Sequence, residues 1–358
     1  MAEAARVNET SLSAPVDDAG VLRQAESWRR MGRGVALATV VKTFGSAPRP
    51  VGSHLAVDEA GAFCGSVSAG CVEGEVITAA QDAIADGAPR FLEFGVADEV
   101  AWRVGLSCGG RIAVHIERID ADRLVLLSAL NREIAARRPC AIITPLDGGA
   151  AQLLRADDFA TAPTALNLDD KSGLVLHDGR RLFVNHYRPG PRLLLIGAVH
   201  VAQALAAMAT LAGFDVTIID PRGAYASPER FPQARLDMRW PDEALPETGL
   251  DAATAVAVLT HDQKIDDPAL RLALASDCFY VGALGSRATH ARRVERLKAS
   301  GVTPFALERL HAPIGLDIAA ISPAEIAVSI LAEIILARGQ KPLRRLVQDA
   351  SSTSCVVG

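Results

Sequence analysis

The sequence predicts an α/β protein, with a doubly wound parallel sheet in its C-terminal half and a separate α/β domain in its N-terminal half. Three observations carry this. From Arg192 onward, short aliphatic runs alternate regularly with helix-period segments, the signature of a parallel sheet covered on both faces. The first of those runs leads into the turn Gly197-Ala198-Val199-His200, and the second ends on Asp220. Between the two halves, Tyr187-Arg188-Pro189-Gly190-Pro191 breaks the pattern. The expected division is a tail over 1–18, an N-terminal domain over 19–188, a C-terminal domain over 191–340 and a second tail over 341–358.

In order along the chain, 21–31 has helical spacing and ends near Gly32, and 35–41 is a β-branched run that reads as a strand. The loop 42–52 is shaped by Pro48, Pro50 and its glycines. Residues 54–57 and 63–67 alternate around a turn at 58–61, which predicts a hairpin. A helix follows Cys71 and closes at Gly87; strands are expected at 91–94 and 112–116, with a short helix or loop at 97–104. A helix at 122–137 leads to a strand at 140–145, and 147–173 reads as loop. Asp178-Gly179 marks a two-residue hairpin turn. In the second half, strands are predicted at 193–196, 216–219, 255–259 and 279–283, and helices at 199–212, 267–276 and 287–299. The last helix, 323–337, has Ser322 as N-cap, proline first, Glu325 three residues after the cap, and Gly339 at its end. Ile326, Ile330, Ile334 and Ile335 mark it as core.

With 49% apolar and 22% charged residues over 358 positions, the chain has material for two packed cores. A net charge of −5 without a basic block excludes nucleic acid as the main partner. Cysteines 64, 71, 108, 140, 278 and 355 form no CxxC pair and no leader precedes them, so reduced thiols in the cytoplasm are expected. The uncharged stretch 193–214 is long enough to span a bilayer, but Gly197, His200 and Gln203 interrupt it, and it parses as strand, turn and helix.

Two cysteines are framed by glycine. Cys71 lies in Gly65-Ser66-Val67-Ser68-Ala69-Gly70-Cys71-Val72-Glu73-Gly74, at or beside a helix start, where amide N–H groups and the helix dipole favour a thiolate. Cys108 repeats the theme in Gly105-Leu106-Ser107-Cys108-Gly109-Gly110. The plain alternative is two small hydrophobic residues in tight turns. Glu73 is either a base or a complement to the helix dipole, the second being preferred. Lys42 and Arg49 suit an anion or simply face solvent.

In the second half, Gly197 to Ala202 together with Asp220 follows the dinucleotide fingerprint G-x-G-x-x-G/A with its distant acid, which makes the sheet Rossmann-like. Val199 stands where the second glycine lets backbone approach a pyrophosphate, so the fold is predicted and NAD(P) binding is not. His200, Asp220, Arg222, His261, Ser286, Arg287 and His290 fall just past the carboxyl ends of predicted strands and converge on one crevice. Arg287 and His290, near a helix start, suit a phosphate. His261 and His311 as metal ligands are the minor alternative, since no HxH, HExxH or CxxC spacing supports them.

Taken together, Gly45 to Gly52, Ser68 to Glu73, Gly105 to Gly110, Gly197 to Leu205, Gly282-Ala283-Leu284-Gly285-Ser286-Arg287 with His290, and His311-Ala312-Pro313-Ile314-Gly315-Leu316-Asp317-Ile318 resemble the XdhC/CoxI family of xanthine dehydrogenase accessory proteins. The likeness covers roughly 20–340. Two positions depart from the family pattern: Ala69 replaces one of a glycine pair, and Val199 replaces the phosphate-loop glycine. The resemblance implies a chaperone that binds the molybdenum cofactor, a molybdopterin with or without a nucleotide, and delivers it after sulfuration to a molybdenum hydroxylase. It implies contacts with that client and with a cysteine desulfurase; a homodimer is the default assembly. On this view Cys71 is the molybdenum contact, with Gly70, Cys108, Glu73 and Arg49 around it. The groups at Gly197, His200, Asp220, Arg222, His261, Ser286, Arg287 and His290 face the phosphate end. A nicotinamide-dependent oxidoreductase, and an interaction protein whose dinucleotide fold is vestigial, are the competing readings.

Overall fold

The computed structural model describes residues 17–45, 47–95, 110–159, 161–163, 166 and 171–339. The segment expected at 97–104, Cys108 itself, residues 1–16 of the first tail and the second tail lie outside the described residues. The chain forms two compact units, Met1–Pro189 and Gly190–Gly358.

In the first unit, α1 (Asp18–Arg30) is capped by Asp17, whose carboxylate accepts the Gly20 N–H at 2.7 Å. The helix therefore starts inside the segment expected as tail. β1 (Val35–Phe44), β2 (His54–Asp58), β3 (Phe63–Gly65), α2 (Glu73–Asp86), β4 (Arg90–Phe94) and β5 (Arg111–Arg118) follow. The strands pair antiparallel in the order β3-β2-β1-β5-β4. After α3 (Ala121–Ala135) come β6 (Cys140–Pro145), β7 (Gln152–Arg155), the one-turn α4 (Ala156–Phe159), β8 (Gly173–His177) and β9 (Arg180–Tyr187). They make a second antiparallel sheet, β7-β6-β9-β8. Thus β7 and α4 occupy part of what reads as loop. At the β8–β9 turn Asp178 and Gly179 both take positive φ (50° and 73°), as a two-residue hairpin requires.

Strand alternation sorts the core of this unit. Ala36, Ala38 and Val40 of β1 pack with Val76, Ala80 and Ala83 of α2, while Val35 and Leu37 face Val21, Leu22 and Ala25 of α1 and Cys140 and Ile142 of β6. Thr39, on that second face, meets His54, which is wholly buried and bonded through Nδ1 to the Thr39 hydroxyl and through Nε2 to the Tyr187 hydroxyl, both at 3.0 Å. A cavity of about 40 Å³ lies here, its wall mostly apolar but including His115, Glu117 and Arg123. Burial pushes the His54 pKa down to about 4; nearby Asp18 opposes this, and Arg123 and Arg49 add to it.

The second unit runs β10 (Arg192–Ile196), α5 (His200–Leu211), β11 (Asp215–Ile219), β12 (Arg235–Asp237), α6 (Pro241–Thr248), β13 (Thr254–Val258), α7 (Gln263–Leu274), β14 (Tyr280–Ala283), α8 (Arg287–Ala299), α9 (Pro304–Leu307), β15 (Leu310–His311) and α10 (Pro323–Gly339). All neighbouring strands are parallel, in the order β12-β11-β10-β13-β14-β15. This is the Rossmann winding, which reverses between β10 and β13. Leu193 and Leu195 enter one buried cluster and Leu194 and Ile196 the other, because both faces are covered. Ser322 and Glu325 form the expected capping box: the Glu325 carboxylate accepts the Ile321 and Ser322 N–H groups, each at 2.8 Å. Ile330 and Ile334 are fully buried, but Ile335 is 41% exposed, a correction to the expected core register. It sits about 100° round the helix from Ile334 and so leaves the buried stripe. Among the described residues no helix is long and apolar enough to cross a membrane; 193–214 divides into β10, a turn and α5.

Candidate functional site

Cys71 lies two residues before α2, on a loop with an unusual internal support. Glu73 turns its carboxylate back under the loop and is 9% exposed. One oxygen accepts the Ser66 hydroxyl at 2.6 Å and the Val67 and Ser68 N–H groups at 3.2 and 2.9 Å. The other accepts the Ser68 hydroxyl at 2.5 Å and the Gly70 and Val72 N–H groups at 2.9 and 3.2 Å. The Ser68 hydroxyl in turn accepts the N–H groups of Cys71 (3.0 Å) and Val72 (2.9 Å), and the Ser66 hydroxyl accepts that of Ala69 at 2.8 Å. Although burial opposes ionisation, these bonds hold the Glu73 pKa at about 2.

This corrects the sequence reading of the loop amides and decides between the two roles weighed for Glu73. The loop amides do not point outward at a ligand, since Glu73, Ser66 and Ser68 take them. The positive end of α2 already faces the Glu73 carboxylate, which is therefore a structural hub and not a base. What the loop presents outward is its convex side. Ala69 and Gly70 are exposed with positive φ (59° and 109°), and a Cβ added at Gly70 or Gly74 would meet nothing within 4 Å. The Cys71 side chain is half-buried beside this open surface, against the core between α2 and β1. Arg49 ties the loop down from outside, donating to the Ser66 carbonyl at 3.2 Å and to Asp18 at 2.9 Å. It is engaged in structure, not held ready for an anion. Cys108 lies outside the described residues, so its distance from Cys71 stays an expectation.

In the second unit the predicted residues gather along the carboxyl edge of the parallel sheet, but their states differ. Gly197 (φ 110°) packs where a Cβ would sit 2.4 Å from Thr260 Cγ2, so close contact between the turns after β10 and β13 explains the glycine. Asp220 is wholly buried. Its oxygens accept the Ala198 N–H at 2.7 Å and a bidentate grip from Arg222 at 2.9 and 2.8 Å. The acid and the arginine, both expected to face a ligand, instead neutralise one another, and Arg222 also lies over Tyr225 at 4.7 Å. His200 and His261 are exposed. Ser286 caps α8, accepting the Thr289 N–H at 3.2 Å; Arg287 is exposed; and His290 is half-buried, with burial lowering its pKa.

Two polar clusters centre on residues that the sequence reading does not single out, Asp266 with Arg293 and Glu333. Beneath the β14–α8 turn, Thr260 donates to Asp266, which faces the fully buried Arg293 at 3.3 Å. Further along, Glu333 of α10 accepts the Tyr280 hydroxyl at 2.5 Å and the Gly315 N–H at 2.8 Å and meets His311 Nδ1 at 3.2 Å. His311 is thereby a partner of Glu333. Among the described residues no three His, Cys, Asp or Glu side chains are grouped to hold a metal ion.

Sequence comparison agrees with this two-part architecture. The XdhC Rossmann domain profile matches residues 193–334, and that of the XdhC and CoxI family matches 28–95, which includes Cys71. The chain is 31% identical over 323 residues to the molybdenum cofactor insertion chaperone PaoD of Escherichia coli, spanning 90% of this chain and 89% of PaoD. The chain belongs to the XdhC and CoxI family. A second relative, a probable xanthine dehydrogenase subunit of Bacillus subtilis, is 30% identical across 84% of this chain and 92% of its own length. The fold is shared with a Bacillus halodurans protein solved as a xanthine dehydrogenase, at a TM-score of 0.70 and 24% identity, covering 89% of this chain and 96% of that one. In this XdhC/CoxI-family chain the two profiles fall one in each compact unit, and the Cys71 loop lies within the N-terminal one.

Proposed function

We propose that this chain is a molybdenum-cofactor chaperone, which takes up the metal–pterin as cargo, protects it, promotes its sulfuration and passes it to a xanthine dehydrogenase-type molybdenum hydroxylase. The observation that carries the reading is the Cys71 loop: a half-buried thiol beside an open convex surface, on backbone pinned from beneath by Glu73, Ser66 and Ser68. A soft sulfur donor on a rigid turn suits the molybdenum end of the cargo, because thiolate ligands select soft metals and rigidity lowers the cost of ordering on binding. Relatives named for cofactor insertion and as part of a xanthine dehydrogenase support the same reading. The client hydroxylase, a cysteine desulfurase as sulfur donor, a cytoplasmic setting and a homodimer belong to this proposal. The form of the pterin, with or without a nucleotide, is left to the measurement.

The test is anaerobic incubation of the full chain with a molybdenum-cofactor source, followed by desalting and measurement of retained pterin and molybdenum. The wild type is expected to retain both in equal amounts, and Cys71→Ala is expected to lose most of them. Equal retention by Cys71→Ala would refute the role of the thiol. Absence of pterin from the wild type, together with tight NADH binding, would replace the chaperone by an oxidoreductase.

A further inference from the structure

The two glycine turns on the carboxyl edge of the Rossmann sheet carry opposite charge. After β10, the Ala198 N–H that would meet a phosphate donates to the Asp220 carboxylate, and Val199 stands in place of the second glycine. An anion there would face a buried carboxylate. After β14 the situation is reversed. The first turn of α8, a 13-residue helix, holds no acidic residue and contains Arg287 and His290, with Arg292 and Arg293 in the next turn. The Arg287 and Ala288 amides lie at the start of this helix, where no carbonyl of its own reaches them. Arg287 and Arg292 are exposed and have no ion-pair partner among the described residues.

A second observation points to the same turn from inside. Arg293 is 1% exposed, and its Nε and Nη1 have no hydrogen-bond partner. Its remaining nitrogen donates to the Leu284 carbonyl at 3.0 Å and meets Asp266 at 3.3 Å. Nη1 lies 3.8 Å from the point where a Cβ on Gly285 would sit, so the guanidinium is directed at the underside of the turn, separated from the outside by a residue without a side chain. A buried guanidinium with two idle nitrogens is a costly arrangement that a matching anion would relieve.

We propose that the β14–α8 turn binds a phosphate or diphosphate group, held by the Arg287 and Ala288 amides and the Arg287 guanidinium, with Arg293 supplying charge from below the glycine. The turn after β10 is closed to that ligand. The natural owner of the phosphate, the pterin cargo, rests on the chaperone reading; the site itself does not.

The experiment titrates the full chain at low salt with inorganic phosphate and, separately, with pyrophosphate, followed by calorimetry and by backbone amide shifts. Binding is expected with shifts at 285–290, and Arg287→Gln is expected to weaken it about tenfold or more. Arg293→Met is expected to do the same, while Val199→Gly binds like the wild type. Tighter pyrophosphate binding identifies the natural group as a diphosphate, and equal affinities identify a monophosphate. Wild-type affinity in Arg287→Gln, whose exposed side chain is not needed for folding, would overturn the proposal. So would shifts at 197–200 in place of 285–290. Phosphate binding here with no pterin retained by the wild type would leave this site standing and remove the chaperone. Pterin retention undiminished in an Arg287→Gln variant that has lost phosphate binding would leave the chaperone standing and overturn the pterin as the owner of this site.

Discussion

Replacing Glu73 by glutamine keeps the shape of the Cys71 support and removes its charge. The native carboxylate accepts bonds from Ser66, Val67 and Ser68 on one oxygen and from Ser68, Gly70 and Val72 on the other. Glutamine retains one acceptor oxygen and turns an NH₂ towards the second set. The Ser68 hydroxyl can rotate and Val72 keeps its N–H bond to that hydroxyl, but the Gly70 N–H is left facing an NH₂. Losing a charged acceptor there costs about 1–3 kcal/mol. An independent route gives a similar figure. A carboxyl held near pKa 2 in the folded chain, against 4.5 unfolded, contributes about 3 kcal/mol at neutral pH. The sign follows from the depression: that contribution is complete above pH 4.5 and is lost as pH falls towards 2. The assay is urea unfolding of Glu73→Gln beside the wild type at pH 7 and pH 3, with alkylation of Cys71 followed by peptide mass spectrometry. The variant should be about 3 kcal/mol less stable at pH 7 and much closer to the wild type at pH 3, with faster alkylation as the loop loosens. A difference below about 0.5 kcal/mol at pH 7, or one that does not shrink in acid, would refute the account of Glu73 as the hub.

A separate pH window belongs to His54: its depressed pKa means that the unfolded chain takes up a proton first, so wild-type stability falls by about 3 kcal/mol between pH 6.5 and 4. Urea midpoints across that range should show this slope, and His54→Gln should flatten it. Gly197→Ala forces both a positive φ and a 2.4 Å clash with Thr260, whereas Gly213→Ala, in the same unit, imposes only the φ of 83° with open space around it. The first should cost about 3–5 kcal/mol and the second about 1–2, read from thermal unfolding of the C-terminal unit. Val199→Gly restores the glycine of the dinucleotide fingerprint, yet the Ala198 N–H still goes to Asp220. NADH fluorescence titration should show no binding, and micromolar affinity would contradict the charge argument.

The long strands of the parallel sheet were legible because burial on both faces writes them as continuous aliphatic runs, as in Leu193-Leu194-Leu195-Ile196. β12 and β15 were not, being three and two residues long and too short to show a period. α7 begins at Gln263, earlier than the spacing suggested, because Asp262 caps it by accepting the Lys264 N–H while Pro268 sits inside the helix. At the Cys71 loop, glycine and serine announced a tight turn beside a helix. They could not announce that a side chain from the first helical residue would fold back to collect the amides. That is a tertiary fact, set by Ser66 and Ser68 lying on the inner side of the turn. Arg293 was invisible for a related reason: a seventh-position arginine in a basic helix looks solvated until the sheet edge beneath it is known.

Asp220 shows why the dinucleotide signature describes this fold better than it describes a cofactor. In the usual arrangement the acid at the end of the second strand meets a ribose hydroxyl, and the glycine turn offers its amides to a pyrophosphate. Here one carboxylate performs an internal version of both tasks, taking the Ala198 N–H on one side and Arg222 on the other. A ligand at this turn would have to break a buried ion pair and then bring negative charge next to the freed carboxylate. The loops are therefore self-satisfied where a nicotinamide enzyme would be open, and the positive charge moves two strands along the sheet, to the start of α8. If the family's cargo is an anionic pterin, charge alone dictates that its phosphate turns towards Arg287 and away from Gly197.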